Sequence, residues 1–164
     1  MSGPCRESGP TLVSKELDRA ENALAAGAVV RIAEIESQLE VWPPGAGLSR
    51  AGLLLELAGA RLDTGEGGRA FAPAEEAFSA FLEGSAWEAA VKAARAMYLA
   101  GSGPGATSEP LGGRDHTASI AALGQGIWLA VSMPVDPELS LAMLQHLIDE
   151  VPPDADGAAA AAAA

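Results

Sequence analysis

The sequence contains two histidines, His116 and His146, and one of them has carboxylates nearby at a spacing that metal sites use. His146, Asp149 and Glu150 are separated by three and four residues, so a helix places all three on one face. Imidazole and carboxylate groups are common ligands of divalent metals. A di-metal carboxylate bundle, however, has Glu-x-x-His on two helices, and the sequence has no such motif. We therefore expect no metal or other cofactor and interpret the three residues as a solvated acidic helix face.

Other catalytic motifs are also missing from the sequence. It has no phosphate-binding loop ending in Lys-Ser/Thr, no Gly-x-Ser-x-Gly elbow and no His-Glu-x-x-His. Glycines in residues 101–105 are spaced somewhat like a dinucleotide fingerprint, but they follow a predicted helix instead of a strand. Cys5 is the single cysteine, which excludes an intramolecular disulfide. The absence of these catalytic motifs predicts a protein that is not an enzyme.

Alanine dominates the apolar part of the composition. Of 164 residues, 36 are alanine and seven are aromatic, so the apolar side chains are mostly small. Alanine has the highest helix propensity but buries little surface, which favours a core built by close approach of helices. A chain of this length is expected to form one domain.

The net charge of −12 is concentrated toward the C-terminal end. Residues 115–164 hold seven acids and no Lys or Arg, whereas residues 1–114 hold ten basic residues and 15 acids. Such a surface repels phosphate, so we expect neither nucleic acid nor an anionic membrane as a partner. A basic protein is the electrostatically compatible partner. Alternatively, the acids serve only to keep an alanine-rich chain soluble.

Capping residues and helix-breaking Gly and Pro predict about seven helices in one all-α domain, residues 11–151. The expected helices cover residues 14–26, 29–41, 49–63, 69–83, 86–100, 117–133 and 137–151. A leader (1–10) precedes them, a loop (101–115) divides the domain into 11–100 and 116–151, and a low-complexity tail (152–164) follows. The run Ala158–Ala164 carries no side-chain information. Without a signal peptide or a bilayer-spanning stretch, we expect a cytoplasmic protein.

Helical periodicity predicts which apolar residues face inward. In the second and seventh helices these are Val29, Ile32, Ile35, Leu39, Leu139, Met143, Leu144, Leu147 and Ile148. We also expect Trp87 and Trp128 in the core. Gly124 and Gly126 predict either an interruption of the sixth helix or close packing there.

Residues 51–84 carry a pattern of large and small residues around a glycine turn. Its members are Leu54, Leu57, Ala58, Gly65, Ala70 and Ala77. The pattern resembles a tetratricopeptide-type helical hairpin, and residues 14–44 resemble it more loosely, with Gly27 at the corresponding turn. The loose unit departs from the pattern at Ile32 and Leu39, where small residues are expected. The resemblance implies stacked antiparallel hairpins with a groove that receives a peptide or partner helix. The alternative architecture is an irregular helical bundle.

Trp42 precedes two prolines and is expected to be half exposed. It is either a binding hot spot or a residue that closes one end of the core. We predict a partner-binding surface beside the first four helices, formed by Trp42, Arg50, Arg61 and Arg69.

Three functions follow as hypotheses. The first is a non-enzymatic interaction module: an adaptor, assembly chaperone or small accessory subunit that binds a protein or peptide. The second is a structural subunit of a homo-oligomer, packed through small-residue faces. The third and most remote is a metal-dependent helical enzyme that uses His146, Asp149 and Glu150.

Overall fold

The computed structural model describes the backbone of residues 12–43, 47–102 and 116–150 and the side chains of 26–43, 47–102 and 117–150. Within these ranges there is no strand, and the all-α class is confirmed. Each helix packs against the next one along the chain. The six helices in the described residues are α1 (Leu12–Val41), α2 (Gly47–Asp63), α3 (Gly67–Glu83), α4 (Trp87–Ser102), α5 (His116–Ser132) and α6 (Pro137–Glu150).

The first two predicted helices are a single helix, so the described residues hold six helices where seven were expected. α1 continues through Gly27, which is exposed and lacks a positive φ. A glycine inside a helix costs only about 1 kcal/mol relative to alanine, and its neighbours here are alanines. The predicted turn at Gly27 is therefore wrong, and residues 14–41 lie in one helix and not in a hairpin. The predictions for the leader, for most of the 101–115 loop and for the tail lie outside the described residues.

The hairpin of α2 and α3 has the predicted arrangement. Gly65 has a φ of +76° at the turn, a conformation that glycine adopts without strain. The amide of the next residue, Glu66, donates to the Arg61 carbonyl at 2.7 Å. The patterned residues Leu54, Leu57, Ala58, Ala70 and Ala77 are all buried, as are Phe71, Phe78 and Phe81.

α4 is the central helix, because it contacts α2, α3, α5 and α6. Its approach to α5 is close enough to require small residues. A Cβ on Gly126 would lie 2.9 Å from the Ala94 Cβ and would overlap the thioether end of Met143. A Cβ on Gly101 would overlap the Ser119 side chain. Close packing at Gly126 is thus confirmed, whereas Gly124 is exposed, and a Cβ added to it would meet no atom within 4 Å.

α6 begins as predicted and lies antiparallel to α5. The Glu138 amide donates to the Asp136 carboxylate at 2.9 Å, which makes Asp136 an N-cap. Ser140 Oγ donates to the Ala130 carbonyl at 3.2 Å. Together with the position of Met143 beside Gly126, this contact sets the register of the two helices.

The two glycines of α5 provide a matched test of this packing. We expect Gly126→Ala to lower the free energy of unfolding by about 1–3 kcal/mol, because its Cβ has no room beside Ala94. Gly124→Ala should raise the same free energy by about 0.5–1 kcal/mol, because it adds only helix propensity. Urea unfolding of both variants measures the difference. Equal effects of the two substitutions would contradict the close approach of α4 and α5.

Candidate protein-interaction surface

Arg50, one of the predicted binding residues, holds three helices together. Its side chain is 16% exposed, and its Nε donates to Glu76 of α3 at 3.1 Å. Its Nη1 donates to the carbonyls of Leu39 at 3.1 Å and Trp42 at 3.2 Å. The last carbonyls of a helix have no intrahelical donors, so Arg50 satisfies the C-terminal end of α1. The guanidinium is thus engaged within the chain.

Arg61 makes a similar connection at the other end of α2. Its Nη2 forms an ion pair with Glu36 of α1 at 2.5 Å, and its Nη1 donates to the Arg69 carbonyl at 2.7 Å. The Arg69 side chain, in contrast, is largely exposed and pairs with Glu66 at 3.1 Å. Of the three predicted arginines, Arg69 therefore presents the most side-chain surface to solvent. Whether any of them binds a partner stays a prediction.

Trp42 follows the last turn of α1 and is 38% exposed, which confirms the expected half-exposed position. The neighbouring Val41 is also exposed. The valines farther back on α1, Val29 and Val30, are exposed as well, and the predicted inward orientation of Val29 is wrong. Val29 and Val30 line one side of α1 together with Ala33 and Ser37, whereas Arg31 points to α2, where it pairs with Glu56.

The three candidate metal ligands, His146, Asp149 and Glu150, form hydrogen bonds with different partners. His146 Nε2 accepts a hydrogen bond from Arg95 Nε of α4 at 3.0 Å, and its ring lies 5.0 Å from that of Tyr98. Glu150 accepts a hydrogen bond from the Tyr98 hydroxyl at 2.7 Å. Asp149 instead accepts from the amide of Gln145 one turn earlier on α6. The part of the chain that the structure describes has no group of three His, Cys, Asp or Glu side chains able to hold a metal ion.

These contacts determine the charge state of His146. A ring nitrogen that accepts a hydrogen bond from a guanidinium carries a lone pair, so the imidazole is neutral. Partial burial and the positive charge of Arg95 lower the pKa of His146 below its ordinary value of 6.5, against a smaller opposite effect of Asp149. Burial and the hydrogen bond to Glu150 raise the pKa of Tyr98. The cluster thus joins α6 to α4 with a neutral imidazole.

Six exposed apolar side chains lie on the last two helices. Trp128 is 63% exposed, Val131 73%, Leu141 67% and Ile148 64%. The predicted burial of Trp128, Leu144 and Ile148 is therefore wrong, whereas Met143 is fully buried and Leu139 and Leu147 pack against the core. We call the exposed set the α5–α6 outer face. It consists of Ile120, Trp128 and Val131 on α5 and Leu141, Leu144 and Ile148 on α6.

Helix geometry places the two halves of this face side by side. Successive helical residues are rotated by about 100°. On α6, His146 points to α4 and Ser140 points to α5. Around α6 from Ser140, on the side away from Met143, the next positions are those of Leu144, Ile148 and Leu141, the three apolar residues of the outer face on this helix. The same rotation on α5, starting from Ala130, reaches Ile120 and Val131 after about 80–100°, whereas Trp128, about 160° from Ala130, points away from α6. The antiparallel register then sets Trp128 level with Leu141 and Ile120 level with Ile148.

Charge is distributed unevenly around this face. Residues 117–133 of the sequence contain no Asp, Glu, Lys or Arg. On α6 the exposed acids are Glu138 and Asp149, and neither takes part in an ion pair among the described residues. Six acids of the first four helices and the α2–α3 turn do form such pairs, namely Glu34, Glu36, Glu56, Glu66, Glu76 and Glu88. The outer face is thus an apolar surface, and the exposed acids Glu138 and Asp149 lie on the flank of α6 away from α5.

Sequence reasoning missed this face, although one signal pointed to it. α5 is apolar around nearly its whole circumference, which is typical of a helix with neighbours on all sides. Here α5 packs only against α4 and α6 among the described helices. Two neighbours leave one side of a helix in solvent, so some apolar residues of α5 must be exposed. None of the described helices has both the length and the apolarity needed to cross a membrane.

Comparison with protein-family models, with curated proteins and with solved structures finds no match to this chain.

The neutral state of His146 predicts a pH dependence of stability. Because the folded pKa lies below the unfolded value of 6.5, the unfolded chain binds more protons as the pH falls through that range. The free energy of unfolding should therefore decrease between about pH 7.5 and pH 5.5. His146→Gln should show a smaller decrease, because the amide oxygen still accepts from Arg95 and does not titrate. Urea unfolding at both pH values measures the two slopes, and identical slopes would contradict this assignment.

Proposed function

We propose that this protein is a non-enzymatic interaction module, an adaptor, assembly chaperone or small accessory subunit, that binds another protein through the α5–α6 outer face. The observation that carries the proposal is the exposure of Trp128 at 63% on a helix without Asp, Glu, Lys or Arg. Exposed apolar patches of this kind often mark interaction sites, and tryptophan is enriched among residues that dominate binding energy.

The energetics of burial support this choice of surface. Covering an apolar side chain is favourable by roughly 25 cal/mol per Å² of surface removed from water. The outer face presents six such side chains on two adjacent helices, and Ile120 and Val131 share one side of this helix pair with Leu144 and Ile148. Arg50 and Arg61, in contrast, already hold α1, α2 and α3 together, and a partner would have to compete with those contacts.

The resemblance of residues 51–84 to a tetratricopeptide hairpin supports the same class of function. Stacked helical hairpins bury their apolar faces against neighbouring hairpins, and the terminal ones need a polar outer side to remain soluble. The last described hairpin of this array has an apolar outer side instead. In our proposal, the partner protein covers that side.

Self-association is the second candidate, and the absence of Asp, Glu, Lys and Arg from α5 favours it. Two copies could bury their α5 surfaces against each other without burying a charge. Each copy carries a net charge of −12, however, which opposes association of identical chains. Light scattering of the purified protein distinguishes a monomer from an oligomer. A stable oligomer that Trp128→Ser dissociates would support this second candidate.

A paired capture experiment tests the proposed function. The baits are the wild-type protein, Trp128→Ser, and Trp42→Ser as a matched exposed tryptophan at the end of α1. Extract of the source cells is applied, and the bound proteins are quantified by mass spectrometry. We expect one stoichiometric partner on the wild-type and Trp42→Ser baits, reduced at least about tenfold on Trp128→Ser, since tryptophan hot spots contribute about 2 kcal/mol or more.

Thermal unfolding of all three baits provides the control, because substitution of an exposed side chain should leave the melting temperature nearly unchanged. Undiminished capture by a folded Trp128→Ser protein would contradict the proposed surface. Loss of capture with Trp42→Ser alone would favour the surface beside the first four helices.

A further inference from the structure

We infer that the side of α1 opposite α2 is a self-association surface, which pairs antiparallel with the same side of α1 in a second copy of this chain. The inference goes beyond the proposed function, because it concerns α1 and leaves the α5–α6 outer face of each copy free. It depends on the exposure of this side of α1 and on the order of the residues along it.

One side of α1 is uncovered in the part of the chain that the structure describes. Among the described helices, α1 contacts only α2. Ile35 on the α2-facing side is 0% exposed, whereas Val29 is 57% and Val30 60% exposed. At about 100° per residue, six exposed positions lie within about 60° of the direction opposite Ile35. We call them the α1 outer side, which consists of Ala26, Val29, Val30, Ala33, Ser37 and Glu40.

The residues along this side are ordered symmetrically about the point between Val29 and Val30. α1 begins at Leu12, and its helical register places Arg19 and Asn22 on the same side, seven and four positions before Ala26. Two antiparallel copies of α1 centred on that point set level those residues that are equally far from it. The levels are Val29 with Val30, Ala26 with Ala33, Asn22 with Ser37, and Arg19 with Glu40.

Each level joins residue types that suit each other. The apolar levels lie at the centre, and the alanines beside them let the two backbones approach closely. The outermost level joins a guanidinium to a carboxylate, and Glu40 is exposed and takes part in no ion pair among the described side chains. A parallel pair would instead set Arg19 level with Arg19 and Glu40 level with Glu40. The charge order therefore selects the antiparallel pair of identical helices, which has two-fold symmetry.

The net charge of −12 opposes this association but does not prevent it. At about 0.15 M salt, exposed charges more than about 8 Å apart are largely screened, so the residues that face each other across the contact matter most. A contact of one helix from each copy is small compared with the interfaces of obligate dimers. We therefore expect a concentration-dependent equilibrium between monomer and dimer.

Exchange of the two outer charges tests the pairing. The variants are Arg19→Glu, Glu40→Arg and the double variant that carries both substitutions. Glu83→Arg makes the same change of charge as Glu40→Arg at an exposed position of α3, and it is the matched control. Sedimentation velocity of the full-length protein at about 0.15 M salt measures the dissociation constant of each dimer.

Each single substitution should weaken the dimer at least about tenfold, because two-fold symmetry turns two attractive contacts into repulsive ones. Glu40→Arg is the sharper of the two, since it lowers the net negative charge and should nevertheless weaken the dimer. The double variant and Glu83→Arg should dimerise within about threefold of the wild type. Recovery in the double variant excludes misfolding as the cause of the loss.

Disulfide cross-linking tests the register. Ala26→Cys and Ala33→Cys are prepared separately with Cys5→Ser, because Cys5 is the single cysteine of the chain. The antiparallel pair sets Ala26 level with Ala33 of the other copy, whereas the two Ala26 positions lie about 10 Å apart along the helix axis. A disulfide needs Cα atoms within about 7 Å. Mild oxidation should therefore cross-link a mixture of the two variants and neither variant alone.

Each other outcome overturns the inference. A wild-type protein that stays monomeric at its highest soluble concentration does so and leaves the proposed function intact, because capture through Trp128 does not involve α1. A dimer that withstands Glu40→Arg but dissociates with Trp128→Ser has its contact on the α5–α6 outer face. Cross-linking of Ala26→Cys or Ala33→Cys alone means a parallel or shifted pair of helices.

Discussion

The close contact between α4 and α5 at Ala94 and Gly126 is the constraint on which the surface chemistry depends. At this contact α5 presents Gly126 to Ala94 of α4 and to the buried Met143 of α6, so closely that a Cβ on Gly126 would clash with both. The opposite side of the helix, which includes Trp128, then faces solvent. A rotation of α5 by a quarter turn would move Trp128 toward α6 and place other residues outside. The exposure of the tryptophan is thus a consequence of packing at small residues.

The two ends of the helical array use different physical interactions. At the α1 end, Arg50 and Arg61 reach between helices to carboxylates and backbone carbonyls, so polar contacts supplement a modest apolar contact. At the α6 end, small residues and the Arg95–His146 hydrogen bond hold the last hairpin in place. The ion pairs named above all lie between Arg31 and Lys92, and the last two helices contribute acids but no Lys or Arg. This difference gives the array one acidic, apolar end.

The sequence predicts those parts of the fold that have local causes. The α2–α3 hairpin follows from Gly65 at a turn and from alanines at helical spacing, and both are where they were expected. The prediction of a turn at Gly27 is wrong because glycine is compatible both with a turn and with a helix interior. Only the tertiary context decides which of these two conformations forms. The orientation of Trp128 was not predictable, since α5 is apolar on most sides and its periodicity does not indicate which side meets α4. The roles of Arg50 and Arg61 depend on carbonyls of other helices, which a local pattern does not reveal.

Hydroxyl-radical footprinting of the isolated protein measures the central claim most directly, because mass spectrometry resolves the oxidation rates of its three tryptophans in one experiment. The exposed fractions predict that Trp128 is oxidised fastest, Trp42 more slowly, and Trp87, which packs against the core, slowest. A Trp128 rate at or below that of Trp87 would mean that α5 presents a different side to solvent and would contradict the α5–α6 outer face.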